Sequence, residues 1–299
     1  MELDDVRAFV SVAGCRSVSQ AARDLNITQS AVTRRLQRLE TSLGAALFDR
    51  RTRPVRLTTA GEAALGSCRR LINDIREVRA AVGNGHAPMG EIRIGVAHAL
   101  TELTLTRPVG QLRRKFPVVA LRLCTGWSRD LLEKVRTDAL DAAVVLLPDG
   151  ERLPVEIVGR EIGKEQLVVV APRTRHSRPL RSVQDLAGAQ WILNPEGCAA
   201  RAGLRRVLAG ANIDLAVGVE TYNYELQLAL VARGRGLSLV PRGILSRSRM
   251  KRRLLIQRIA GIHFPLTVWM LRQERFAAGE QVIAELSRLL IESFRTAGA

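Results

Sequence analysis

The sequence predicts an N-terminal all-α winged helix-turn-helix domain, then a long linker helix, then an α/β portion built as two Rossmann-like subdomains. Three observations predict it. Residues 17–40, SVSQAARDLNITQSAVTRRLQRLE, hold two helix signals separated by a few polar residues, the second loaded with arginine on one side. Ala64, Cys68, Leu71, Ile75, Val78 and Val82 then follow the a/d spacing of a coiled coil. From residue 91 onward, apolar runs alternate with amphipathic helical segments, the pattern of α/β units.

The first helix is expected from about Leu3 to Ala13, with Val6, Phe9 and Val10 inward. Ser17 and Gln20 form a capping-box pattern ahead of Ala21, Ala22 and Leu25, a helix too short to persist without a neighbour. Asn26 and Ile27 make the turn, and Thr28 caps a third helix whose stripe is Val32, Leu36, Leu39 and Leu43. At 100° per residue, Ser30, Arg34, Gln37 and Thr41 lie opposite that stripe, with Thr33 and Arg38 on its flanks and Gln29 at its start. Such side chains suit base edges and phosphates. LFDRRTRPVRLT, residues 47–58, reads as two short strands, a wing carrying Arg50, Arg51, Arg53 and Arg56. Residues 28–58 hold seven arginines against Glu40 and Asp49, a local excess that calls for a polyanion. The whole chain agrees: its 299 residues carry 46 Lys+Arg against 29 Asp+Glu, a formal charge of +17. Double-stranded DNA is the expected partner.

Thr59 and Glu62 repeat the capping box ahead of the linker helix, which is expected to end near Val82 and to pair with a second copy through Cys68, Leu71, Ile75 and Val78. GNGHAPMG, residues 83–90, reads as a hinge. Beyond it, EIRIGVA, LRLCT and AAVVLL are strand candidates with helices near 102–115 and 128–137. QLVVVA, QWIL, LAVGVE and LSLVP repeat the scheme, with helices near 182–187, 198–211 and 223–233; LTVWML and a helix near 279–296 close the chain. Two mostly parallel sheets are expected. SRSRMKRRLL, residues 246–255, reads as a solvated basic connection.

What the sequence lacks narrows the function. No basic stretch ahead of an apolar run opens it, and no apolar run nears the length of a membrane span, so a soluble cytoplasmic protein with no membrane contact is expected. The four cysteines are scattered without ligand spacing, so neither a metal site nor a disulfide framework is indicated. No nucleophile–base pairing, phosphate loop or cofactor motif stands out, and no enzyme activity is expected.

The first 65 or so residues, AFVSVAGCRSVSQAARDLNITQSAVTRRLQRLETSLGAALFDRRTRPVRLTTAGEA among them, resemble the DNA-binding domain of LysR-type transcriptional regulators. Ser30 and Thr33 depart from that family's pattern, which has Pro and Ser there. The resemblance implies a regulator that dimerises through the linker helix, commonly forms tetramers, works with RNA polymerase, and carries an effector domain like a periplasmic binding protein. It places the effector domain at 91–299, with subdomain I at about 91–162 and 263–299, subdomain II at about 163–262, and crossings near Gly163 and Ile262. A small organic acid is the effector expected at helix N-termini in the cleft. Family positions carried over one by one are His98, Thr101, Trp127 and Ser128 on one side, and Asn194, Cys198, Arg201 and Tyr222 on the other. Ala97 and Ala99 stand where hydroxyls are usual. Two other readings accompany this one: a solute-binding transport component, and a thiol-based redox regulator acting through Cys198.

Overall fold

The computed structural model describes residues 1–49, 52, 54–82, 90–101, 106–174, 179–274 and 279–298. Within these, the side chains of 73, 76, 77, 79–82, 90, 106 and 296–298 lie outside the description, as do Arg50, Arg51, Arg53 and residues 83–89, where the hinge is expected. The chain divides into two compact units, one up to about residue 88 and one made mainly of the residues beyond it.

In the first unit, α1 (Leu3–Cys15), α2 (Val18–Asp24) and α3 (Gln29–Leu43) enclose a core of Val6, Phe9, Val12, Ala21, Ala22, Val32, Leu36 and Leu39. The residues opposite the α3 stripe stay exposed because the stripe alone faces that core. Ser17 Oγ accepts the Gln20 N–H at 3.2 Å, whereas the Gln20 amide donates to Asp24 at 2.8 Å, so only half of the expected capping box forms. The reciprocal pattern belongs to α1, where the Glu2 N–H donates to Asp5 Oδ2 at 3.1 Å. Thr28 Oγ1 accepts the Ala31 N–H at 3.1 Å and starts α3. The wing strands β1 (Phe48–Asp49) and β2 (Arg56–Leu57) pair antiparallel, anchored by a Phe48–Phe9 edge contact at 5.4 Å. Glu40 reaches from α3 to accept the Leu47 N–H at 2.8 Å, tying wing to helix.

The linker helix α4 spans Thr59–Val82, and its cap is Thr58, which accepts the Gly61 N–H at 3.0 Å, one residue earlier than the sequence pattern placed it. Cys68 and Ile72 are buried in the N-terminal core, with Ala64, Leu65 and Leu71 packed against it. Cys68 is thus corrected from a seam residue to a core residue of its own domain, and burial raises its thiol pKa. The unclaimed part of the stripe lies further on: Ile75 is half-buried and Val78 is 62 % exposed.

The second unit opens with β3 (Gly90–Ala97), α5 (Thr106–Lys115), β4 (Val119–Gly126), α6 (Ser128–Arg136) and β5 (Ala142–Pro148). β4, β3 and β5 are parallel neighbours, as βαβ units require. A Cβ on Gly95 would lie 2.7 Å from Leu131 of α6, so glycine is what lets β3 sit this close to its helix layer. The strand expected at QLVVVA is much longer: β6 runs Ile157–Pro172 through both subdomains. Next come β7 (Gln190–Leu193), α7 (Ala199–Gly210), β8 (Ala216–Glu220), α8 (Tyr224–Ala232), β9 (Ser238–Pro241), α9 (Arg242–Arg247), β10 (Leu254–Gln257), β11 (Phe264–Gln273) and α10 (Glu280–Gly298).

The expectation of two mostly parallel sheets needs correction. β11 pairs antiparallel with both β5 and β6, and β6 pairs antiparallel with β9 and β10, so one seven-stranded sheet runs through both subdomains. Parallel pairing persists for β7 and β8. Gly163 lies within β6, beside a register shift opposite Val268 and Trp269, and β11 begins just after Ile262. Along β6, Leu167, Val169 and Ala171 face one core cluster while Val168 and Val170 face another, so this strand is apolar on both sides. The segment read as a basic connection ends in the first two residues of β10, whose Leu254 is buried against that sheet.

Candidate nucleic-acid interface and ligand cleft

The face of α3 opposite the core presents Gln29, Ser30, Thr33, Arg34, Gln37 and Arg38, all exposed. They are not equivalent. Thr33 Oγ1 donates back to the Gln29 carbonyl at 2.9 Å, and Ser30 shares a 2.9 Å contact with Thr28, so both are partly engaged by their own helix. Arg38 donates from Nη2 to Asp5 Oδ1 at 2.6 Å and from Nε at 3.1 Å, pinning α3 to the start of α1. Burial opposes the Asp5 charge, but hydrogen bonds from Arg38 and the Glu2 backbone and the charge of Arg38 outweigh it, holding the carboxyl below its ordinary range. Arg35 likewise holds Asp4 at 2.8 Å. Arg38 is therefore a staple of the domain as well as a cation on its face, while Arg34 and Gln37 are exposed beside it. Arg56 is exposed on β2; Arg50, Arg51 and Arg53 lie outside the described residues.

In the second unit, the structure separates the expected ligand residues into two groups and disperses the rest. His98, Trp127 and Tyr222 meet as an aromatic trio, with centroids 4.9 Å apart for His98–Trp127, 4.9 Å for His98–Tyr222 and 5.6 Å for Trp127–Tyr222. His98 and Trp127 follow β3 and β4 in subdomain I, and Tyr222 follows β8 in subdomain II. Partial burial lowers the His98 pKa, which keeps its ring neutral at neutral pH. Trp127 lies against Gly197, where a Cβ would be 2.6 Å from the indole Nε1. Gly197 has φ +93°, a conformation that itself favours glycine.

Asn194 and Cys198 form the second group, inside a buried polar network. The Asn194 amide donates to Tyr224 Oη at 2.7 Å and contacts Cys198 Sγ at 3.8 Å, and its oxygen accepts from Gln227 at 2.5 Å. Gln227 also donates to the Thr221 carbonyl at 2.8 Å and accepts from Ser238 at 3.0 Å. Burial drives the Tyr224 phenol pKa well up, so it stays protonated.

Two expected ligand groups, Arg201 and Thr101, already spend donors within the chain. Arg201 is 7 % exposed and donates to Glu220 at 2.8 Å and to the Asn194 carbonyl at 3.2 Å, with Glu196 at 3.0 Å. The expectation of a free carboxylate clamp is corrected: Arg201 ties the start of α7 to the loop before it and to the end of β8. Thr101 donates to the Ala97 carbonyl at 3.4 Å, whereas Ser128 Oγ accepts the Leu146 N–H at 3.1 Å, joining α6 to β5, and keeps its O–H as a donor.

Comparison with known proteins agrees with both halves of this description. Residues 3–62 match the model of the bacterial regulatory helix-turn-helix protein of the lysR family, and residues 85–293 match that of the LysR substrate binding domain. The chain belongs to the LysR family of transcriptional regulators. Among LysR-family relatives, it is 30 % identical over 247 residues to the HTH-type transcriptional regulator GltR of Bacillus subtilis, covering 82 % of this chain and 81 % of that one. It is 30 % identical over 243 residues to CzcR of Bacillus anthracis, covering 81 % and 80 %. In fold it is similar to a full-length OxyR variant from Pseudomonas aeruginosa, with a TM-score of 0.78 at 20 % identity over 97 % of this chain and 98 % of that one. It is also similar to full-length CbnR solved with its target DNA, with a TM-score of 0.58 at 20 % identity over 98 % and 100 %. This LysR-family chain is thus a transcriptional regulator, and among its described residues no helix is long and apolar enough to cross a membrane.

Sequence reasoning missed the residues that act behind these sites in the LysR-family chain. Gln227 left a signal, a lone amide within the apolar run LQLALVA. Asp5 and Glu40 left none, because a carboxylate near a helix end or on a helix flank is ordinarily solvated.

Proposed function

We propose that this LysR-family regulator acts in the cytoplasm, reads specific DNA through the exposed face of α3, and dimerises or tetramerises with the help of the later turns of α4. We further propose that a small molecule held between its two α/β subdomains modulates that binding. The observation that carries the reading is the combination on α3: a capped, core-packed helix whose free face holds Ser30, Arg34 and Gln37, side chains able to donate and accept at base edges. The dimer follows from need and from supply. One helix reads only a few base pairs, and Val78 leaves an apolar residue exposed on the extended helix. The organic-acid part of the expectation has lost its clearest support, since Arg201 already holds two carboxylates of its own chain.

A transport component does not need the helix-turn-helix half. A thiol switch at Cys198 draws no support from a buried sulfur that packs against Asn194. Footprinting on the region upstream of the regulator's own gene, with and without small metabolites, tests the reading. Protection of an interrupted palindrome that changes on addition of a metabolite supports it; uniform protection that no metabolite alters speaks against it.

A further inference from the structure

We propose that the cleft takes an uncharged, planar aromatic molecule, which enters between Trp127 and Tyr222 and replaces their contact with stacking on its own two faces. The inference rests on the ligand-responsive reading above and names the ligand class.

Placement supports it first. His98 and Trp127 immediately follow the parallel strands β3 and β4, and Tyr222 lies two residues after β8, itself parallel to β7. Carboxyl ends of parallel strands are where open α/β sheets hold ligands. The rings come from both subdomains, so a molecule between them would bridge the two. Trp127 and Tyr222 are already inclined at only 32°, close to the geometry of two plates around a flat guest.

The surroundings also favour an uncharged ring. Ala97 and Ala99, the neighbours of His98, are buried and bring no hydroxyl to this loop, and Ala99 belongs to the same core cluster as Tyr224. Arg201, the group suited to gripping a carboxylate, is bound to Glu196 and Glu220. His98 presents a neutral ring. A buried aromatic cluster needs no ligand to justify it, but Tyr222 remains 53 % exposed and Trp127 is only half-buried, leaving π surface open to solvent. Gly197 fits the same purpose: any side chain there would strike the indole, so the loop carrying Asn194 and Cys198 gives Trp127 its seat.

The test uses the full-length protein with indole as the neutral planar probe and succinate as the aliphatic dianion. Thermal denaturation is followed over a titration of each, for the wild type, Tyr222→Ala and Trp127→Leu. Tyr222 is exposed, so its replacement leaves the fold intact even if Trp127→Leu proves damaging. Indole should raise the melting temperature saturably, by mass action, and each substitution should weaken its binding about two- to tenfold, the worth of one aromatic pair. Succinate should produce no saturable shift. The proposal is overturned if indole gives no saturable rise, if Tyr222→Ala binds indole as tightly as wild type, or if succinate binds and indole does not. Specific DNA binding, measured on the same samples, separates the two levels. Its absence defeats the regulator reading, whereas intact DNA binding with no response to indole defeats only the assignment of ligand class.

Discussion

Replacing Gln227 by leucine should be among the most damaging single changes in the second unit, although the two side chains are similar in size. Gln227 is fully buried and makes three hydrogen bonds, to Asn194 at 2.5 Å, to the Thr221 carbonyl at 2.8 Å and from Ser238 at 3.0 Å. Leucine removes all three and leaves their partners inside. An orphaned buried polar group costs about 1–3 kcal/mol. The Ser238 hydroxyl can rotate and the Thr221 carbonyl keeps a second lone pair, so the low end applies to each, giving a sum of about 3 kcal/mol. For a unit of this size that lowers the melting temperature by roughly 6–12 °C. Ser238→Ala, which removes one bond, should cost about 1 kcal/mol and roughly 2–4 °C. Differential scanning calorimetry of the full-length protein reads both. A shift for Gln227→Leu no larger than that for Ser238→Ala would refute the picture of one connected network. Operator binding by folded protein should survive in both variants, since every member of the network lies beyond residue 190.

Thr28→Ala removes the cap of the recognition helix and should cost about 1 kcal/mol of stability while weakening cognate DNA binding, as measured by anisotropy. Val78→Asp should leave the monomer folded, because the side chain is 62 % exposed, but should reduce the mass seen in sedimentation; an unchanged mass would reject pairing through α4. The Glu285 carboxyl is held at about 2 by the hydrogen bonds it accepts from Arg288 and then from Lys115. Its folded pKa is depressed, so its contribution is fully present above its ordinary value of 4.5 and fades as pH falls towards 2. Glu285→Gln should flatten the acid limb of a stability–pH profile in that window.

The sequence disclosed elements whose signals are local and missed those that depend on distant partners. The helix-turn-helix was legible because Val32, Leu36 and Leu39 recur at helical spacing between a capping Thr28 and Gly44, which takes the left-handed turn at the helix end. The strand QWIL, residues 190–193, was readable to the residue. β10 was hidden because LLIQ follows a run of arginines and lysine, and only pairing with β6 shows it to be a strand. The long antiparallel strands were hidden for a related reason, since IVGREIGKE has no clear alternation until β11 covers it. At the sites, residue types pointed to the right loops but not to their occupants. Arg38 and Arg201 look available in a sequence, and only three-dimensional neighbours show that Asp5, Glu196 and Glu220 already hold them. Cys68 matched the dimer spacing because an a/d stripe and a core-facing stripe share the same first turns.

The most direct measurement of the central claim is selection of binding sites from random duplex DNA by the wild type and by Arg34→Ala, with affinities for the selected and scrambled sequences taken over a range of salt. The wild type should recover an inverted repeat with an interrupted centre, bound far more tightly than scrambled DNA and with a steep salt dependence in both cases. Arg34→Ala should lose roughly ten- to hundredfold on the selected sequence, with a much smaller loss on scrambled DNA, because a base contact is lost as well as a charge. Recovery of no common sequence, or equal losses on both DNAs, would contradict the assignment of α3 as the element that reads bases.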